Sequence, residues 1–295
     1  MKFSHKYIII GAGSAGCVLA NKLSENPSNS VLLIEAGPMD NYSPIKMPLA
    51  ASSLFKNTKY GWGYETEPEK NLNNRTINWP RGKTLGGSSS INGMLYIRGQ
   101  ANDYEEWEKV GNKGWGYRDL MKYFIELENN QNHEDQYHGN FGSLWVETYE
   151  PILDASRSFL SACEKYGLHK NNDFNGEDQE GFGNYQVNIK NGKRFSASDA
   201  FLRPALDRSN LHLLTNTLVE KIITSNKKAI GVKVKNKDGS NIIGCTSEIV
   251  LCGGSINTPQ ILMLSGIGPK EDLMKHNISV VEDLPGVGQN LQDHL

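Results

Sequence analysis

An α/β protein with a parallel sheet at its amino end is predicted by three features that follow one another along the first 36 residues. Tyr7-Ile8-Ile9-Ile10 is a short apolar run of the kind that forms a buried parallel strand. It leads directly into Gly11-Ala12-Gly13-Ser14-Ala15-Gly16, which opens a helical pattern carried by Cys17, Val18, Leu19, Ala20 and Leu23. A second apolar run, Val31-Leu32-Leu33-Ile34, ends in Glu35, at roughly the 20-residue interval at which a strand-helix-strand unit presents an acid to a ribose.

Each residue type in this stretch has a physical task. Gly11 permits the tight turn off the strand, Gly13 lets backbone N–H groups approach a pyrophosphate, and Gly16 lets the helix sit close against the sheet. The phosphates would face the positive end of the helix dipole. Glu35 can accept hydrogen bonds from ribose hydroxyls and would repel a 2'-phosphate, so the residues favour FAD or NAD over NADP and leave the choice between those two open.

A chain of 295 residues forms one large or two ordinary domains and buries roughly three quarters of its unfolded surface. Its 31 basic and 33 acidic residues give a net charge of -2 and form no basic block, so no nucleic-acid partner is expected. Cys17, Cys163, Cys245 and Cys252 form no CxxC pair and lie in apolar segments, which points to a reducing, cytoplasmic setting, with membrane association as the alternative. Lys2, His5 and Lys6 before an apolar, small-residue run resemble a signal peptide, but cleavage there would destroy the dinucleotide fold. With no run of roughly 18 apolar residues, no transmembrane segment is expected.

From Gly37 to Trp79 the pattern is irregular, with Pro38, Pro44, Pro48 and Pro68 among Phe55, Tyr60, Trp62, Tyr64 and Trp79. Aromatics in such a loop must pack on something, and covering the nucleotide-binding core is favoured over direct stacking of Trp62 on an adenine. The stretch from Pro80 to Gly93, with Gly86-Gly87-Ser88-Ser89-Ser90 at its centre, reads as a second loop opening a helix beside a polar ligand, continued by Ile91, Met94, Leu95 and Ile97.

Asp103 to Glu128 is amphipathic, with Tyr104, Trp107, Leu120, Tyr123, Phe124 and Leu127 at loosely helical spacing, and reads as core packing. In His133-Glu134-Asp135-Gln136-Tyr137-His138 the five-residue spacing would put the two His roughly 140 degrees apart on a helix, so no zinc pair is expected. Asp173 to Asp178 hints at a calcium loop, but the Gly is misplaced and Asn184 stands where Glu is required, leaving a polar surface turn. A helix over Ile152 to Tyr166 and alternation around Tyr185, Val187 and Ile189 follow.

After Arg203-Pro204 strands are expected at Leu211 to Leu214, Leu218 to Ile223, Ala229 to Val234, Ile242 to Cys245 and Glu248 to Cys252, an antiparallel meander feeding a final buried strand. That strand runs into Gly253-Gly254 and a helix with Pro259 in its first turn and Gly266 at its end. This second strand-glycine-helix junction belongs at the ligand edge of the sheet.

Three segments, Gly11 to Asn21, Pro80 to Gly99 and Gly254 to Gly268, together resemble the signatures of the glucose-methanol-choline (GMC) oxidoreductases, with wording closest to choline-dehydrogenase-like members. The similarity runs from about Tyr7 to Leu295 and takes in Tyr137-His138-Gly139, Arg194 to Pro204 and Leu284 to His294. It implies a Rossmann-like FAD-binding domain, a parallel sheet plus an antiparallel β-meander, with the beginning of a substrate domain. By position, residues 1–150 and 194–295 would be two parts of the FAD-binding domain and 151–193 the substrate-domain segment. Gly11, Gly13, Ser14, Ala15 and Gly16 would hold the pyrophosphate, and Glu35 with Ala36 the adenosine ribose. Thr84, Ser88, Asn92, Gly93, Met94 and Leu95 would serve the flavin end, and Val219 would lend its backbone to the adenine.

Ile91 stands where some members carry the His that attaches FAD covalently, so a noncovalent flavin is implied. The implied activity is oxidation of the CH–OH group of a small alcohol, with hydride passing to the flavin and electrons to a quinone-like acceptor or oxygen. The family's catalytic His lies beyond the matched region, and none of His5, His133, His138, His169, His212, His276 or His294 stands in that motif. The expectation is an N-terminal portion lacking the catalytic half, with no catalytic residue and no metal assigned. A non-catalytic flavin-binding remnant is the alternative.

Overall fold

The apolar runs at the amino end become the centre of a sheet in the computed structural model, which describes residues 4–149 and 153–293. Pro151 and Ile152, where a domain segment and a helix were expected to begin, and His294 lie outside the described residues. By its internal contacts the chain divides into two compact units, one made of Met1–Ile45, Ala50–Ile91 and Ala197–Leu295, the other of Lys46–Leu49 and Asn92–Ser196.

The first unit contains strand β1 (Ser4–Ile10), helix α1 (Ser14–Ser24), strands β2 (Val31–Ile34), β3 (Leu211–Leu214), β4 (Leu218–Ser225), β5 (Lys228–Asn236) and β6 (Gly239–Leu251), and helix α2 (Gly254–Leu264). Its six-stranded sheet runs in the order β4-β5-β6-β1-β2-β3. Strands β6, β1, β2 and β3 pair in parallel where they meet, and β4-β5-β6 form the antiparallel meander. All four residues of β2 are buried, as a strand with neighbours on both edges and cover on both faces requires. Ile8, Ile10, Leu32, Ile34, Val232 and Val234 form the heart of one apolar cluster.

Three sequence expectations change here. Leu211 to Leu214 does not join the meander but pairs in parallel with β2 at the far edge, where the Val31 N–H donates to Asn210 and the Glu35 N–H to Leu214. The stretches Ile242 to Cys245 and Glu248 to Cys252 are one strand, β6, with two partners. Its first half pairs antiparallel with β5 and its second half parallel with β1, with a register shift opposite the His5 to Tyr7 step. Pro259 also falls in the interior of α2 rather than its first turn, because the helix already starts at Gly254. The Ser265 hydroxyl donates to the Ile261 carbonyl and accepts the Ile222 N–H at 2.8 Å, which ties the end of α2 to β4.

In the second unit, Leu95–Tyr96, Gln186–Val187, Leu144–Thr148 and Glu128–Asn130 form a four-stranded sheet in that order. The pairing of Leu95–Tyr96 with Gln186–Val187 gathers residues 92–149 into the same unit as residues 153–196. The expected helix through Ile91, Met94 and Ile97 does not form. Gly87–Ser90 is a single 3-10 turn, Asn92 Oδ1 accepts the Met94 N–H at 3.0 Å, and Met94 takes φ +64°, a left-handed conformation that ends any helix. The amphipathic stretch from Asp103 is two helices, Ala101–Lys109 and Tyr117–Leu127, parted by Gly111 and Gly114 at φ +111° and +84°.

The turn at Asp173 points inward, contrary to the surface reading. Phe174 and Asn175 are buried, and the Asn175 side chain accepts the Arg98 N–H at 2.7 Å while donating to Gln186 Oε1 at 2.9 Å. The His133 to His138 stretch is not helical. His138 is buried, with Nδ1 3.1 Å from Glu128 and Nε2 2.9 Å from Asp173.

Candidate dinucleotide cleft

The carboxyl ends of β1, β2 and β6 open into a cleft of about 890 Å³, rimmed by Ile10, Ile34 and Leu251. This is the edge at which open α/β sheets take their ligands. The three fingerprint glycines are required for three different reasons. Gly11 has φ +101°, and a Cβ there would sit 2.4 Å from the Cys252 carbonyl oxygen. A Cβ on Gly16 would lie 1.9 Å from the Gly11 oxygen, so only glycine lets α1 pack on the turn. A Cβ on Gly13 would meet nothing within 4 Å: that side of the turn is open and faces the cleft.

Helix α1 starts with no side-chain cap and no acid in its first turn, so its leading N–H groups and the positive end of its dipole are available to an anion. The second glycine-rich loop braces this turn. The Gly86 N–H donates to the Ala12 carbonyl at 2.7 Å, and Gly87, at φ +54°, lies so close that a Cβ would be 2.7 Å from Gly13 Cα. The loop's hydroxyls mostly hold the loop itself. Thr84 donates to the Pro38 carbonyl, Ser89 to Gly86 and Ser90 to Leu85, while Ser88 lines the cleft and its hydroxyl accepts the Gly82 N–H.

Glu35 is 6% exposed, with Oε2 accepting the Ala12 N–H at 2.8 Å and Oε1 the Gly37 N–H at 2.9 Å. Burial pushes its carboxyl above the ordinary range, against the pull of those N–H groups and of the Lys83 charge. The carboxylate thus fastens the fingerprint turn to the end of β2 and keeps a lone pair on each oxygen for a ligand hydroxyl.

An aromatic wall stands across the cleft. Trp62 and Tyr64 are stacked, with centroids 5.8 Å apart and planes within 7°, and Lys83 Nζ lies 5.0 Å from the Trp62 ring. The Tyr64 hydroxyl donates to Asn257 Oδ1 at 2.5 Å, joining that wall to α2. Of the residues marked in the sequence, Gly11, Gly13, Ser14, Ala15, Glu35, Ala36, Ser88 and Val219 line this one cleft, and Gly16 and Thr84 are buried behind it. Asn92, Gly93, Met94 and Leu95 belong to the second unit.

Sequence reading assigned no site role to Tyr64, Glu220 or Asn257, all of which line the cleft. The strand-glycine-helix junction at Gly253 was the signal available for Asn257, and nothing local in the meander marks Glu220. The residues present fit an extended dinucleotide: an uncapped helix start, an open face at Gly13, a buried carboxylate beside it and an apolar, aromatic wall.

This fold and cleft define a dinucleotide-binding α/β domain. The family profile described as GMC oxidoreductase matches residues 5–295, and the chain belongs to that family. It is 47% identical over 294 residues to an alcohol dehydrogenase [acceptor] of Pseudomonas putida, covering 99% of this chain and 53% of the relative. It is 44% identical over 289 residues to an oxygen-dependent choline dehydrogenase of Brucella anthropi, covering 98% and 52%. Among solved structures, an FAD-dependent oxidoreductase from Chaetomium thermophilum superposes with a TM-score of 0.90 at 34% identity, covering 98% of this chain and 52% of the other. The chain spans about half the length of the curated relatives it matches. The matched region is the family's FAD-binding domain, so of the two cofactors left open by the fingerprint, FAD is the one taken.

Among the described residues no helix is long and apolar enough to cross a membrane.

Proposed function

We propose that this chain holds FAD noncovalently for an enzyme that oxidises the CH–OH group of a small alcohol, in the manner of choline and alcohol dehydrogenases. The observation that carries the reading is the convergence of Gly13, Ser88 and the Gly253 to Gln260 junction on the cleft beside Glu35. The N–H groups opening α1 bind the pyrophosphate, Glu35 accepts from the adenosine ribose and rejects a 2'-phosphate, and the Val219 backbone meets the adenine. Asn92, Gly93, Met94 and Leu95 serve the flavin end, and Thr84 supports that end through the loop it anchors.

Bound FAD supplies a ring that accepts a hydride from the carbinol carbon. Ile91, 2% exposed and packed with Ile45, Leu54 and Tyr60, has an alkyl side chain that cannot form a covalent link to it. His138 is unsuited to take the hydroxyl proton. Burial opposes its charge, but hydrogen bonds to Asp173 and Glu128 outweigh burial and raise it to about 9, well above the range a general base needs at neutral pH. No proton-accepting residue is assigned within the chain. An alcohol is the substrate class, a quinone-like compound or oxygen the electron acceptor, and the four free thiols accord with a reducing, cytoplasmic setting.

Titrating the purified chain with FAD, NAD and NADP while following flavin absorbance and thermal unfolding tests the reading. FAD is expected to raise the unfolding temperature and NADP to leave it unchanged. A shift with NAD and none with FAD would overturn the proposal. In the same assay Glu35→Gln is expected to weaken FAD binding about tenfold or more, because one of the two backbone N–H groups would face an amide NH2, a mismatch worth about 1–3 kcal/mol.

A further inference from the structure

Arg194 is among the largest fully buried side chains of the molecule, at 2% exposure, yet its Nη1 donates at 2.8 Å to Oδ1 of Asn92, an exposed residue. The same oxygen accepts the Met94 N–H at 3.0 Å. Two donors therefore converge on one end of the Asn92 carboxamide, and an NH2 group placed there would face N–H on both sides. The amide orientation is fixed by chemistry: Oδ1 inward and saturated, Nδ2 outward with two protons to give.

The supports of this arrangement are stiff. Arg194 ends a tight hairpin in which Ile189 pairs with Arg194 and Lys190 with Lys193, and Asn191-Gly192 takes the turn with φ of 52° and 71°, the geometry a two-residue Asn-Gly turn prefers. Met94 is equally constrained by its own positive φ. The Phe195 N–H donates to the Asn188 carbonyl and the Asn188 N–H to the Met94 carbonyl, both at 2.9 Å, so the hairpin and the Asn92 turn share one hydrogen-bonded frame.

We propose that Arg194 is a positioning residue that locks the Asn92 carboxamide as an obligate donor toward an acceptor atom of the flavin ring, selecting a ligand with a carbonyl or unprotonated ring nitrogen at that point. The proposal rests on the reading that Asn92 serves the flavin end. It predicts that Arg194 acts on flavin through Asn92 and through nothing else.

A double-mutant cycle on the FAD dissociation constant, with the absorbance spectrum of the bound flavin as second readout, tests it. Arg194→Met is expected to weaken FAD binding about tenfold and to shift the flavin bands when Asn92 is present, and to change neither further in the Asn92→Ala background. Equal losses in both backgrounds would mean a merely structural role and would overturn the proposal. If Arg194→Met does not fold, Arg194→Lys, which keeps the charge and most of the volume, takes its place in the cycle with the same criterion. Asn92→Asp gives an independent answer, since the carboxylate still accepts from Arg194 and Met94 but has no proton to donate. It is expected to bind FAD as weakly as Asn92→Ala, and wild-type affinity in that variant would sink the idea. Wild-type chain that binds no FAD at all would instead remove the functional reading beneath it.

Discussion

Gly11→Ala is expected to abolish FAD binding and to destabilise the fold together, while Gly13→Ala loses only the ligand. At Gly11 the added methyl would lie 2.4 Å from the Cys252 oxygen, a backbone atom that can move only by shifting the end of β6 away from β1. Overpacking of this kind costs about 1–3 kcal/mol, and the left-handed conformation adds roughly 1–2 kcal/mol. At Gly13 the methyl would meet no protein atom within 4 Å and would project into the space a pyrophosphate needs. Thermal unfolding of the ligand-free variants should therefore show a fall of several degrees for Gly11→Ala and almost none for Gly13→Ala. FAD titration should show at least a hundredfold loss for the first and a clear weakening for the second. A Gly13→Ala chain as unstable as Gly11→Ala would show that the glycine serves the fold and not the ligand.

The second large effect is expected from the charged cluster inside the other unit. Glu128 is fully buried and accepts from Arg98 Nη2 at 2.7 Å, Asn130 Nδ2 at 2.9 Å and His138 Nδ1 at 3.1 Å. Arg98 is itself 8% exposed, and its Nη1 also donates to the Tyr137 carbonyl at 2.7 Å. Arg98→Ala strips a buried carboxylate of its closest cation and should cost about 3–5 kcal/mol, read as a fall in unfolding temperature of roughly 12–20 °C in a unit of this size. A fall under 2 °C would show that Glu128 is adequately balanced without Arg98.

His138 gives the same cluster a pH dependence. Its native value of about 9 lies above the ordinary 6.5, so the native state holds the proton more tightly than the unfolded chain. The stability this contributes is fully present below pH 6.5 and is lost as the pH rises through about 9. Stability curves between pH 6 and pH 10 should therefore decline in the wild type and flatten in His138→Asn. A parallel decline in both chains would assign the alkaline loss to other groups.

Legibility in the sequence followed the range of the interactions. The fingerprint turn was readable because strand, turn, helix and acid lie within one local unit, and Gly16 answers to a contact with the Gly11 carbonyl inside the turn itself. The meander was readable because β5 and the first half of β6 are neighbours in sequence, joined at a turn. The place of Leu211 to Leu214 was not, since pairing with β2 joins segments far apart in the chain, and an apolar tetrapeptide fits an edge of either orientation equally well. The helix expected through Ile91 and Met94 failed for the opposite reason: its apolar spacing was adequate, but a single Asx hydrogen bond from Asn92 and one positive φ overrode it.

Residue chemistry and short spacings by themselves determined that this protein carries a dinucleotide turn with an acid beside it, a meander and a second glycine loop. Only the tertiary structure decided which of those groups spend their hydrogen bonds on the fold and which remain for a ligand. Thr84, Ser89 and Ser90 look like ligand hydroxyls in the sequence and are consumed by nearby carbonyls, whereas Glu220 carries no local mark and stands in the cleft. The reason is that a polar side chain takes whichever partner the packed chain brings within about 3 Å, and for these residues that partner or cleft is set by segments that meet only when the sheet closes.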